Sequence, residues 1–96
     1  MVLHDFGENR GIDGMCLDVD GNIVATAGWE LGGPGPMIYV FSPGGEVLEQ
    51  HPVPAKRPTN CAFGGQDYST LYVTTTEGHL FRASTGRQGW LLYPPR

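Results

Sequence analysis

Apolar residues in this chain come in short runs separated by clusters of glycine, proline and aspartate, and no stretch longer than a turn shows helical periodicity. The runs predict a lead strand over Val2–Phe6, then strands over Gly14–Leu17, Ile23–Ala27, Met37–Phe41 and Val47–His51 as one antiparallel set. A second set follows over Cys61–Phe63, Leu71–Thr75 and His79–Ala83, with a poorly marked fourth strand for which Trp90–Tyr93, cut short by Pro94-Pro95, is the candidate. The connections carry hairpin chemistry: Asp18-Val19-Asp20-Gly21-Asn22 and Ser42-Pro43-Gly44-Gly45 supply residues that tolerate positive φ or form Asx turns.

The two sets are copies of one pattern. Arg10-Gly11-Ile12-Asp13 opens the first and Arg57-Pro58-Thr59-Asn60 the second, with Asp13 and Asn60 47 positions apart. A period of about 40–50 residues made of short strands is the spacing of β-propeller blades. The expected fold is therefore all-β: two blades of a six-bladed propeller, each a four-stranded antiparallel sheet, with residues 1–9 as lead strand, 10–55 as blade one and 56–96 as blade two. A blade cannot bury both faces alone. Three copies of the chain, each lending its lead strand to a neighbour's second blade, would close a ring of six; the alternative is a segment of a longer propeller.

Composition narrows the class. Fifteen glycines and eight prolines in 96 residues serve turns rather than disorder, because 40% of the residues are hydrophobic. A net charge of −4 with only six Lys plus Arg removes the basic footprint that nucleic acid requires. The absence of a long apolar run and of a signal-like beginning predicts no membrane partner and a cytoplasmic setting. Cys16 and Cys61 fall in the first strand of each repeat, where buried free thiols are expected, with a disulfide across adjacent blades left open. No zinc spacing, nucleophile elbow or phosphate-cradling glycine loop occurs, and Asp18, Asp20 and Asn22 have the wrong glycine position for an EF-hand and read as a hairpin turn.

Candidate chemistry gathers at one edge. Asp13 precedes the innermost strand of its set, and an antiparallel second strand returns to that same edge, placing the connection Gly28–Pro36 above it as a candidate lid. In that connection Trp29 offers a flat apolar face for a sugar ring and Glu30 a second carboxylate. The plainer alternatives are a solvent-exposed connection and an Asp13 that caps the turn by accepting backbone N–H bonds.

The stretch Gly11-Ile12-Asp13-Gly14-Met15-Cys16-Leu17-Asp18-Val19-Asp20-Gly21-Asn22 resembles the signature of the gluconolactonase, regucalcin (senescence marker protein) and related lactonase family. Lys56-Arg57-Pro58-Thr59-Asn60-Cys61-Ala62-Phe63-Gly64-Gly65, Leu71-Tyr72-Val73-Thr74 and Gly78-His79-Leu80-Phe81-Arg82 resemble its closing blade. The resemblance covers nearly the whole chain and corresponds to the C-terminal third of six-bladed enzymes that hydrolyse sugar lactones with a divalent cation. It implies that Asp13 is the catalytic, metal-binding aspartate. The family's N-terminal glutamate ligand and its two central asparagines fall in blades this chain lacks. Asn60 does not match one of those ligands and reaches the same channel only by repeat symmetry.

A carboxylate with amide oxygens suits hard cations such as Ca²⁺ or Mg²⁺; the resemblance implies a divalent cation, with Ca²⁺, Mg²⁺, Mn²⁺ or Zn²⁺ expected at Asp13 and Asn60, and Trp29 and Glu30 are the expected substrate-binding residues. In a three-chain ring, three Asp13 and three Asn60 would face a common axis and draw in a cation. Three functions follow from these observations: the C-terminal part of a metal-dependent sugar-lactone hydrolase, a non-catalytic homo-oligomeric ring, or a general interaction scaffold.

Overall fold

A computed structural model describes residues 1–90 and contains two antiparallel sheets, each a simple meander. Sheet one holds β1 (Met15–Leu17), β2 (Ile23–Trp29), β3 (Gly32–Phe41) and β4 (Val47–Pro52) in sequence order. Sheet two holds β5 (Pro58–Gly64), β6 (Thr70–Thr75) and β7 (Leu80–Ser84). Both sheets form where alternation and turn residues predicted them. A fourth strand of sheet two is absent among the described residues, and Leu91, Leu92 and Tyr93 of its candidate lie outside them.

The period-two pattern sorts side chains onto two faces. Val24, Ile38 and Val40 of sheet one meet Cys61, Leu71 and Val73 of sheet two in a shared core, flanked by Cys16, Val53, Phe63 and Phe81. Each fully buried aliphatic side chain in such a core contributes roughly 1.5–3 kcal/mol. The sheets touch along their first strands and diverge toward their last ones. The divergence leaves an apolar cleft of about 290 Å³ lined by Ile38, Val40, Val53, Leu71, Val73 and Phe81.

The other face of sheet one carries a second cluster, Ala25, Ala27, Tyr39 and Phe41. Here the lead segment departs from expectation: residues 1–10 form no strand. Asp5 accepts the Gly7 N–H at 2.8 Å and the Asn9 N–H reaches the Phe6 carbonyl at 3.3 Å, so the backbone turns instead of extending. Phe6 then packs edge-on against Tyr39 and Phe41, with ring centroids 5.4 and 6.4 Å away, and His4 lies 5.1 Å from Phe41. His4 and Phe6 thus cover part of their own sheet, and the expected lead strand over residues 2–6 does not form. Cover is incomplete, since Met15 remains 60% exposed; the outer face of sheet two leaves Leu80 at 68%.

The connection Gly28–Pro36, expected as a loop, is mostly strand. β2 and β3 run on to pair Trp29 with Gly32, leaving only Glu30 and Leu31 as the turn. Its glycine content marks a bulge rather than a lid. Gly28 has φ +84°, and a Cβ there would stand 2.9 Å from the Gly35 carbonyl carbon, so the register shift between Ala27 and Trp29 requires glycine.

The chain after β7 supplies a seam with no counterpart in the sequence reading. Residues 87–90 return to sheet one: the Val19 N–H donates to the Gln88 carbonyl at 2.8 Å and the Trp90 N–H to the Leu17 carbonyl at 3.0 Å. The Gly89 N–H donates to the carbonyl of Tyr68, which adopts φ +57°, an uncommon conformation for an aromatic residue. Beside this seam Asp18, 1% exposed, accepts from the backbone N–H groups of Asp20 and Asn22, from Asn22 Nδ2 at 3.1 Å and from Arg87 Nη1 at 2.9 Å. Arg87 also binds Glu49 of β4.

Burial by itself would raise the Asp18 carboxyl, but the hydrogen bonds from Asn22, Arg87 and Asp20 outweigh it and hold it below the ordinary carboxylate range. Glu49 is lowered too, chiefly by Arg87 and then by His51. A depressed folded-state value stabilises above the unfolded value and is lost as pH falls through the folded one. Urea denaturation should therefore show stability dropping below about pH 4. Asp18→Asn should cost about 2–3 kcal/mol at pH 7, a gap that narrows as the pH is lowered through the acid range.

Candidate active site

β1 is short, but its pairing with β2 continues backward through residues 13 and 14. The Asp13 N–H donates to the Thr26 carbonyl at 3.1 Å, while the buried Thr26 hydroxyl accepts from the Gly14 N–H and donates to the Gly14 carbonyl, both at 3.0 Å. These bonds fix Asp13 at the rim where β1 begins. Its side chain is exposed and takes a hydrogen bond on Oδ2 from Arg10 Nη2 at 2.9 Å. The turn-capping role expected as an alternative is replaced by this ion pair.

Arg10 does more than neutralise Asp13. Its Nη1 donates to the Gly28 carbonyl at 3.0 Å and to the Pro58 carbonyl at 2.8 Å, joining the β2 bulge to the start of β5. Arg57 makes the equivalent bridge from the other repeat. Its guanidinium lies 5.6 Å from the Trp29 ring centroid and donates to both Glu30 oxygens, at 3.1 and 3.3 Å. These hydrogen bonds hold the Glu30 carboxyl below its usual range. Trp29 Nε1 is buried with no hydrogen-bond partner among the described residues.

Asn60 stands on β5 directly against β1. A Cβ at Gly14 would come within 2.6 Å of the Asn60 Cα, so the two backbones approach far more closely than the roughly 10 Å of ordinary face-to-face sheets. Its Oδ1 accepts the Cys61 N–H at 2.8 Å. Asp13, Trp29, Glu30 and Asn60 thus share one rim, where Arg10 ties Asp13, Arg57 ties Trp29 and Glu30, and Asn60 packs against Gly14. The sequence reading missed both arginines as site residues, although they open the two repeats with the same 47-residue spacing as Asp13 and Asn60.

Among the described residues, the donor set for a divalent cation does not close from acidic, histidine and cysteine side chains. Among the described residues no group of three or more His, Cys, Asp or Glu side chains converges. Of the candidate donors, Asp13 Oδ2 and Asn60 Oδ1 already accept hydrogen bonds from Arg10 and Cys61, which leaves Asp13 Oδ1. Ca²⁺ takes six to eight oxygens and Mg²⁺ an octahedron, more than Asp13 and Asn60 offer.

Comparison with known proteins decides the ancestry of this rim. Residues 1–77 match the family described as the SMP-30/Gluconolactonase/LRE-like region. The chain belongs to this family. Regucalcin of Danio rerio is 39% identical over 76 residues, covering 77% of this chain and 24% of the relative. Regucalcin of Gallus gallus is 32% identical over 79% of the chain and 24% of the relative. The 6-deoxy-6-sulfogluconolactonase of Pseudomonas putida is 39% identical over 78% of the chain and 25% of the relative. The chain spans about a quarter of the length of these curated relatives.

The close contact that aligns Asp13 with Asn60 rests on a missing side chain. Gly14→Ala should destabilise the fold by about 1–3 kcal/mol in chemical denaturation, because backbone must move to admit the methyl group. Gly44→Ala, whose Cβ meets nothing nearer than 3.8 Å, should change stability by no more than about 0.5 kcal/mol.

Proposed function

We propose that this chain is a C-terminal segment of a metal-dependent sugar-lactone hydrolase and contributes Asp13 to a site completed by groups outside it, so that it is catalytically incomplete as a monomer. The observation that carries this reading is the position of Asp13: an exposed carboxylate at the rim of an innermost strand, beside Asn60 on the neighbouring sheet, in a chain of the gluconolactonase family. The lactonase named among the relatives supports the substrate class.

Lactone hydrolysis needs a water activated next to the ring carbonyl. Asp13 has one oxygen engaged by Arg10, and its other oxygen has no hydrogen-bond partner among the described residues; it is the group that accepts a proton from that water. Arg10 holds the carboxylate in place. Trp29 and Glu30 border the same rim, but Arg57 engages both; Glu30 accordingly acts as a fixed anion that shapes the approach of a hydroxylated ring. The divalent cation proposed for the complete site, Ca²⁺, Mg²⁺, Mn²⁺ or Zn²⁺, would draw on Asp13 and Asn60 together with ligands from other blades.

The bare outer faces favour a second reading of what completes the site. Met15 and Leu17 on sheet one and Leu80 on sheet two leave apolar surface at both flanks of the pair. Copies of this chain or further blades of a longer chain would cover it, and three copies would supply six blades. As a non-catalytic ring the chain would serve binding or structure.

Light scattering coupled to size exclusion, with gluconolactone hydrolysis measured on each fraction in calcium, magnesium, manganese or zinc, tests both readings. A species near 10.4 kDa should be inactive. Activity should appear only in larger assemblies or when missing blades are supplied, and Asp13→Asn should lower it by roughly 10²–10⁴-fold. A monomer that hydrolyses the lactone, at a rate indifferent to Asp13→Asn, would overturn the proposal. A larger, stable assembly inactive with every cation would favour the binding role.

A further inference from the structure

Cys16 and Cys61 lie where the two sheets approach most closely. Cys16 is on β1, Cys61 on β5, and their Sγ atoms are 3.7 Å apart, with both thiols free. Two residues before Cys16, the Gly14–Asn60 contact brings the backbones together, and the sulfurs face each other at 3.7 Å, against the roughly 2.05 Å of a disulfide. Their exposure differs. Cys16 is half-buried and reachable by a small oxidant, whereas Cys61 is buried and directs its S–H to the Val24 carbonyl at 3.4 Å.

We propose that Cys16 and Cys61 form a peroxide-responsive pair, in which Cys16 is oxidised first and Cys61 resolves it into an intramolecular disulfide that staples the two sheets. In the first step the Cys16 thiolate attacks one oxygen of hydrogen peroxide; the S–O bond forms, the O–O bond breaks, and the departing hydroxide leaves as water after protonation. Cys16 is then a sulfenic acid. In the second step the Cys61 sulfur attacks Cys16 Sγ; the S–S bond forms, the S–O bond breaks, and the released hydroxide takes the Cys61 proton as a second water. The two thiols supply two electrons, and the peroxide is reduced to two waters.

The staple would act on the rim without touching it. β1 begins just past Asp13, and Cys61 adjoins Asn60, so the disulfide would fix the spacing of those two residues. It requires nothing of the lactonase reading, since the sulfurs are brought together by the sheet packing alone.

The test treats dilute full-length chain with hydrogen peroxide, quenches it, alkylates under denaturing conditions and digests it with trypsin without reductant. Cleavage after Arg10, Lys56 and Arg82 puts Cys16 in peptide 11–56 and Cys61 in peptide 57–82. The expected result is a single cross-linked pair of these peptides lighter by two hydrogens, loss of both alkylatable thiols, and full recovery with dithiothreitol. The oxidised chain should also unfold at a higher temperature than the reduced one, and Cys16→Ser should abolish that rise. Retention of both alkylatable thiols would overturn the proposal, as would a Cys16 sulfinic acid beside free Cys61 or linkage only between separate chains. The wild-type digest decides the matter even if the serine variant does not fold.

Discussion

Everything at the rim depends on how closely β1 and β5 can approach. Side chains normally hold facing sheets about 10 Å apart, but Gly14 has none, and Asn60 occupies the space a Cβ would need. From that contact the sheets diverge, and the shared core of Val24, Ile38, Val40, Cys61, Leu71 and Val73 fills the wedge until the apolar cleft opens between the later strands. A wedge of this form suits stacking around an axis, with chemistry concentrated at the narrow edge. Asp13, Asn60, Trp29 and Glu30 all occur along the rim near that edge; Arg10 holds Asp13, Arg57 holds Trp29 and Glu30, and Asn60 is set by its contact with Gly14.

The pairing of sheets is reinforced by directional bonds where apolar packing thins. Arg10 spans from the β2 bulge to the Pro58 carbonyl, while residues 87–90 cross back to the Asp18 hairpin and place Arg87 between Asp18 and Glu49. Charge-assisted bonds to a buried carboxylate are among the stronger ones available to a small domain. They also make the hairpin between β1 and β2 part of the inter-sheet contact. Asp18, read from sequence as a turn residue, serves the turn through Asp20 and Asn22 and serves the seam through Arg87.

The sheets were legible because their causes are local. The apolar runs Ile38-Tyr39-Val40-Phe41 and Leu71-Tyr72-Val73 and the turn at Asp18–Asn22 each act over a few residues, and the 47-residue repeat set the two sheets side by side. Other features have distant causes. Nothing near Arg87 announces a partner 69 positions away, and residues 2–6 have strand-like composition but are turned by Asp5 and held by Tyr39 and Phe41. Gly28–Pro36 contains four glycines and two prolines, which read as a loop; positive φ at Gly28, Gly33 and Gly35 instead accommodates a bulged hairpin. Asp13 was nameable from its signature, Asn60 from repeat symmetry, and Trp29 and Glu30 from the composition of their connection, whereas the Arg57 bonds that occupy Glu30 were not, because they join residues 27 positions apart.

Belonging to the gluconolactonase family fixes what this rim descends from, and among the described residues no cluster of three or more His, Cys, Asp or Glu side chains stands at it. The rim exists only if the two sheets behave as a single cooperative body. Native-state hydrogen exchange tests that most directly. Amides of Val24 in β2 and Val73 in β6 should exchange together, through one opening whose free energy equals that of global unfolding. If the amides of β5, β6 and β7 exchange through a separate, lower-energy opening while β2 and β3 stay protected, the sheets are independent and the shared rim does not exist as a stable structure.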